Sequence, residues 1–211
     1  MNARILLTLI LPLALLGGCS SYTSAPGIDA HFAAEGPNAP RAESAALAAL
    51  QFAVTRYPPG GPRTEAATSR EASSLTADFP LAVNMPLGTR RGVYERVAIR
   101  LGAQVVPYDT GVTLPIYTVE RVWVRERTAT VDVLRPMLEL PRKADGSPVY
   151  QRLTVRLEGS FKPWRVVHTR AWPPTGDEVP MLFPIPAVDR HDEYERAIGA
   201  LNPATATPDE E

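Results

Sequence analysis

Cysteine is all but missing from this chain, one in 211 residues, which excludes any internal disulfide and leaves a packed core as the source of stability. No apolar run approaches the roughly 20 residues that a membrane-spanning helix requires. Neither sign of charge prevails: 22 Lys and Arg stand against 23 Asp and Glu, a net of −1. A nucleic-acid partner is therefore not expected, because the electrostatic footprint for one is lacking. Gly-x-Ser-x-Gly, His-Glu-x-x-His and phosphate-loop patterns do not occur, so the common hydrolase and nucleotide chemistries have no foothold and no cofactor is expected. Internal repeats are lacking too. What is abundant is proline, 22 residues, roughly twice ordinary usage and a sign of long irregular connections.

The position of the lone cysteine is informative. Arg4 supplies a positive flank, Ile5 to Leu16 a short apolar stretch, and Gly17 and Gly18 small residues suited to a peptidase, which is signal-peptide logic. The run Leu16-Gly17-Gly18-Cys19 resembles the lipobox of bacterial lipoprotein precursors. That resemblance implies a diacylglyceryl group on the Cys19 sulfur, cleavage before Cys19 and further acylation of its amino group, with palmitate-like chains as the membrane anchor. Two or three such chains hold firmly, at roughly 0.8 kcal/mol per buried CH₂. By the same resemblance, Ser20 stands where many inner-membrane lipoproteins carry aspartate. The expected location is the bacterial cell envelope, facing the periplasm, with the outer membrane favoured over the inner.

Composition divides the remainder. Residues 1–18 read as the signal peptide, and 19–40 as lipidated cysteine plus flexible tether, rich in Ser, Thr, Ala, Gly and Pro. A tether of about 20 residues reaches about 25 Å on average. Residues 41–173 read as an α+β domain, 174–202 as a proline-rich extension with a short helix over Asp189 to Ile198, and 203–211 as a disordered acidic tail. Within the domain, Asn38 and Pro40 signal the start of a helix to Tyr57, with Leu47, Leu50, Val54 and Tyr57 on one face. Pro58-Pro59-Gly60-Gly61 stops it. Arg63 to Ala77 reads either as a helix or as an insertion, and Phe79 to Val83 as a short extended piece. A second helix carries Val93, Val97 and Leu101 as its stripe, with Thr89 as a candidate cap and Gly102 as the stop.

Four strands should follow. A two-residue turn at Glu126-Arg127 pairs Val124 with Ala129, Val122 with Val131 and Arg121 with Asp132. The next strand alternates Val149, Gln151, Leu153, Val155 and Leu157 against Tyr150, Arg152, Thr154, Arg156 and Glu158. The return, Pro163 to Trp172, is expected to pair Leu157 with Trp164 and Val155 with Val166, putting Trp164, Val166, His168 and Arg170 on one side. Helices first and an antiparallel meander after them predict an α+β fold with the helices on one face of a four-stranded sheet. This order, with the turn-tryptophan run Gly159-Ser160-Phe161-Lys162-Pro163-Trp164, is similar to the cone-shaped nuclear-transport-factor-2-like fold and its cystatin-like relatives over Arg41 to Trp172.

In a simple meander Glu120, Gln151, His168 and Arg170 converge at the rim of the concave face beside Trp172. Such a group suits a small polar ligand, or His168 as a base oriented by Glu120. The plainer reading is a wet strand end, with Glu120 and Arg170 as an ion pair. His191 and Glu195 stand four apart, but Asp192, Glu193 and Arg196 around them read as a solvated helix face, and no metal is expected. Arg121, Arg125, Arg152, Arg156 and Arg165 offer a basic patch for cell wall or anionic lipid, or ordinary surface charge balanced by Asp132 and Glu158. The leading functional expectation is a non-enzymatic binding or assembly module anchored by lipid, with envelope proteins or cell-wall polymer as partners. A ligand carrier or enzyme using the pocket around Glu120 and His168 is the alternative, and an accessory subunit of a secretion or wall-synthesis machine a third.

Overall fold

The computed structural model describes residues 22–25, 33–62, 79–106, 114–159, 163–174 and 180–184. The helix reading of 63–77, the helix from Asp189, the acidic tail and Cys19 itself lie outside them. Two helices are described, α1 (Pro40–Arg56) and α2 (Arg91–Leu101). Among eight strands, the long ones are β5 (Ile116–Arg125), β6 (Thr128–Met137), β7 (Val149–Glu158) and β8 (Arg165–Ala171). The short ones are β1 (Tyr22–Ala25), β2 (Ala33–Glu35), β3 (Ala82–Asn84) and β4 (Gln104–Val105). The class is α+β, as the patterning predicts.

The sheet is larger than the expected four strands. Its main path runs β2-β1-β5-β6-β7-β8, while β3 pairs with β5 and β4. β5 carries two partners on one edge: β1 runs antiparallel to its second half, and β3 parallel to its first. One of the extra strands, β3, overlaps the extended piece expected at Phe79 to Val83; the others are short segments whose backbones pair without any long alternating run, so periodicity could not signal them. Two of them, β1 and β2, fall inside 19–40, the span whose composition reads as a tether.

The β5–β6 register matches the expectation at Val124–Ala129, Val122–Val131 and Arg121–Asp132. Glu126 closes the turn at φ 44°, a left-handed conformation that costs an L side chain free energy. β8 requires a correction. Leu157 pairs with Val166, not Trp164, a slip of two residues on the turn side, and Val155 pairs with Thr169 because a bulge at Arg156/Leu157 adds one residue more. One extra residue flips every side chain beyond it to the other face.

Packing follows the alternation. Val119, Val122, Val124, Ala129, Val131, Val133, Leu153, Val155 and Leu157 form one buried face with α1 laid across it. Each fully buried Val or Leu contributes roughly 1.5–3 kcal/mol. α1 meets this face through Ala42, Ala45, Ala46, Ala49 and Ala53 as well as Leu50 and Val54. Small side chains let the helix axis approach the strands closely.

α2 ends as expected at Gly102, in the left-handed conformation at φ 68°. Its start differs from the expectation. Arg90 occupies the cap position, Thr89 donates its hydroxyl to Pro86 O at 2.6 Å, and Asn38 Oδ1 accepts from Arg90 N at 2.6 Å. Asn38 thus ties the entry of α1 to the entry of α2, and Glu43 of α1 holds Arg96 of α2 at 2.7 Å. Trp164 pins the first turns of α1 to the start of β8: its indole N–H donates to Ser44 Oγ at 2.9 Å, and the Arg41 guanidinium lies 5.7 Å from its ring centre.

Candidate functional site

Strand geometry places the five predicted site residues on two faces. Gln151 points to the helix side with Leu153 and Val155, whereas Arg152 and Thr154 point to the outer face. Through the β8 bulge, His168 and Arg170 pair with Arg156 and Thr154, which carries both to the outer face. A second bulge, between Val119 and Arg121, leaves Glu120 unpaired in the β5–β6 ladder and next to Arg121 on that same outer side. The expected common rim on the concave face is therefore not formed.

On the outer face a polar chain crosses β5, β6 and β7 to Trp172, the residue after β8. Arg121 Nη2 meets Asp132 Oδ2 at 2.7 Å, Thr154 Oγ1 donates to Asp132 Oδ1 at 2.7 Å, and Trp172 Nε1 donates to Thr154 Oγ1 at 3.0 Å. Arg170 stacks on the Trp172 ring, its guanidinium carbon 3.5 Å from the ring centre. Beside this chain, Arg152 Nε binds Glu120 Oε2 at 2.9 Å. Glu120 is thus ion-paired to Arg152, where the plainer reading of the sequence had Arg170 as its partner. His168 is exposed on β8, and β6 and β7 separate it from β5. Three strand spacings put about 14 Å of sheet between the backbones of His168 and Glu120, so Glu120 does not orient the imidazole.

On the helix side, Arg135 is among the largest fully buried side chains of the described residues, with 2 % of its surface exposed. Its three nitrogens each donate to a protein oxygen: Nε to Gln151 Oε1 at 2.7 Å, Nη1 to Pro58 O at 3.1 Å and Nη2 to Glu139 Oε1 at 2.9 Å. Its guanidinium carbon lies 5.8 Å from the Tyr57 ring centre. Gln151 in turn donates from Nε2 to Trp172 O at 2.8 Å. Trp172 therefore joins the two faces, its carbonyl on the Arg135 side and its indole on the outer side. Of the predicted residues, the structure brings together Gln151, Trp172 and Arg170.

Next to Arg135 opens a shallow cleft of about 600 Å³, lined by Pro58, Pro59, Gly60, Gly61, Phe79, Pro80, Pro115 and Leu138. Its described lining is mostly apolar. At the same end of the sheet, on the side of Arg152, Tyr150 is 5 % exposed, and burial pushes its phenol up to about 12, because the charged form is poorly solvated there. Among the described residues no group of three His, Cys, Asp or Glu is placed to hold a metal ion, and no helix is long and apolar enough to cross a membrane.

Sequence reasoning missed two parts of this architecture. Arg135 lies in a strand otherwise read as apolar-in, and its burial had no sequence signal. Asn84, fully buried on β3, donates to Met181 O at 2.9 Å and accepts from Phe183 N at 2.8 Å. One side-chain amide thus imitates a strand partner and holds residues 181–183 of the proline-rich extension against the sheet. No family model, no curated protein and no solved structure matches the chain.

Proposed function

We propose that this chain is a bacterial envelope lipoprotein, anchored through acyl chains on Cys19 and facing the periplasm, whose α+β domain acts as a non-enzymatic binding or assembly module. The observation that carries the reading is the coincidence of the sole cysteine with the flank, apolar stretch and small residues of Arg4 to Gly18. Ser20 behind it favours the outer membrane. Envelope proteins or cell-wall polymer are the partners of this reading. The finer cone-like fold of the nuclear-transport-factor-2-like kind belongs to it as well, supported by two helices preceding the β5–β8 meander with α1 across its buried face.

Two features of the geometry favour assembly over catalysis. The carboxylates in the candidate region are engaged by arginines, Glu120 by Arg152, Asp132 by Arg121 and Glu139 by Arg135, which leaves them poorly disposed to abstract a proton. The cleft offers an apolar wall, and the Arg135 donors beside it are directed to protein oxygens. The test is membrane fractionation with mass spectrometry of the mature N-terminus, followed by crosslinking and pull-down from native membranes. Acylated Cys19 at residue one of the mature chain, and release of Cys19→Ala from the membrane fraction, are the expected results. An unmodified thiol on a chain that stays in the aqueous fraction overturns the reading.

A further inference from the structure

We propose that the hairpin end of the sheet, the turn Glu126-Arg127 with the neighbouring Arg165, rests on anionic phospholipid headgroups and that the cleft at the opposite end is held away from the bilayer. This rests on the lipid-anchor reading and adds an orientation to it.

The lead from the anchor enters the fold at β1. It runs antiparallel to β5 with Tyr22 opposite Arg125 and Ala25 opposite Val122, so the chain enters the sheet at the hairpin end. Cys19 precedes Tyr22 by three peptide steps, which span at most about 11 Å. A diacylated sulfur on so short a lead keeps that end of the sheet beside the membrane surface. A composition-based tether with a reach of about 25 Å would have left the orientation free. β6 and β7 are ten residues long each, about 30 Å at the rise of a strand. The loop joining them at the far end, which includes Leu138 of the cleft wall, then stands about that far from the headgroups.

Charge at the hairpin end fits such a surface. Among the described residues, Arg127, Arg156 and Arg165 are exposed there with Glu126 and Glu158 as the opposing charges, a net positive balance. The pair across the β7–β8 end is loose, with Arg165 Nη2 3.9 Å from Glu158 Oε2 and the Arg165 side chain 79 % exposed. Headgroup phosphates compete well for a guanidinium held this way. At the other end the buried arginine has its donors directed to Gln151, Pro58 and Glu139.

The test uses the full lipidated protein in vesicles of phosphatidylethanolamine and phosphatidylglycerol that contain a headgroup-labelled quencher lipid. Acylation consumes the Cys19 thiol, so a single new cysteine takes one fluorophore. Glu126→Cys labels the hairpin tip and Arg142→Cys labels the loop between β6 and β7. The expected result is loss of most of the fluorescence at 126 and none at 142. The double variant Arg127→Glu with Arg165→Glu, on the 126-labelled chain, should reduce that quenching, since each basic residue near an anionic surface shifts the docked population about five-fold. Equal quenching at both positions, or stronger quenching at 142, overturns the orientation; unchanged quenching in the double variant overturns the role of the two arginines. Failure of the anchor itself shows separately: wild-type protein then takes up label at Cys19 and washes off the vesicles.

Discussion

Arginine is used in opposite ways at the two ends of this sheet. At the cleft end Arg135 is buried and its donors point to protein oxygens on β7, the loop after β6 and the segment after α1. At the hairpin end Arg165 is exposed beside a distant glutamate. Burial of a cation is tolerated only when its donors are satisfied, so the first arrangement is rigid and interlocked, whereas the second keeps its charge available to a partner. The comparison separates charge that holds the fold from charge that can meet a surface.

Truncation breaks this contrast most strongly. Arg135→Ala leaves Glu139, Gln151 and the Pro58 carbonyl without their buried donor, and a loss of about 3–5 kcal/mol is expected. Arg165→Ala should change stability by no more than about 0.5 kcal/mol. Denaturant unfolding of both variants measures the difference, and equal effects would remove the distinction between the ends. A second test uses pH. The Tyr150 phenol, beside the cleft end, has its pKa raised by burial from 10.0 to about 12. Below pH 10 the phenol is neutral in both states and its contribution is fully present. Between 10 and 12 the unfolded chain ionises first, so stability falls by about 1.4 kcal/mol per pH unit. Tyr150→Phe should flatten that part of the alkaline unfolding curve, and a parallel curve for the variant would refute the assignment.

Where apolar side chains alternate without interruption, the fold was legible in the sequence. The β5–β6 register, the alternation of β7, the span of α1 and the glycine stop of α2 all follow from periods of two and of 3.6 residues together with turn chemistry. The bulges at Val119/Arg121 and Arg156/Leu157 leave no periodic trace. Yet they decide which face receives Glu120, His168 and Arg170, and so they undid the predicted rim. Short strands such as β1 and β2 pair through backbone groups that every residue carries, which composition cannot register, whereas β3 overlaps the extended piece read at Phe79 to Val83. Arg135 and Asn84 illustrate the same limit, since a polar residue reads as surface until the partners that allow its burial are known.

The clasp at Asn84 sharpens the comparison at a middle magnitude. Asn84→Ala removes the acceptor for Phe183 N and the donor to Met181 O together, for an expected cost of about 2 kcal/mol and faster hydrogen exchange at the Phe183 amide. Asn84→Asp keeps the acceptor and loses the donor, so it should retain more of that protection. Identical exchange in all three proteins would mean that the amide does not hold the strap.

The smallest expected effect belongs to the hairpin tip. Glu126 sits at φ 44°, where the Cβ of an L residue crowds the backbone, and glycine adopts this conformation without that penalty. Glycine also gains freedom in the unfolded chain, which offsets part of the relief. Glu126→Gly should therefore stabilise the fold by about 1 kcal/mol or less, seen as a small rise in the denaturant midpoint with an unchanged slope. Because the substitution also removes a carboxylate from the end proposed to face the headgroups, the same variant should quench more strongly at that end in phosphatidylglycerol vesicles, through a label at Thr128→Cys. Stability and docking respond there to different properties of one residue, backbone strain for the first and charge for the second. Glu126→Asn should reproduce both gains, since asparagine tolerates the left-handed conformation and carries no charge, whereas Glu126→Gln should improve docking alone.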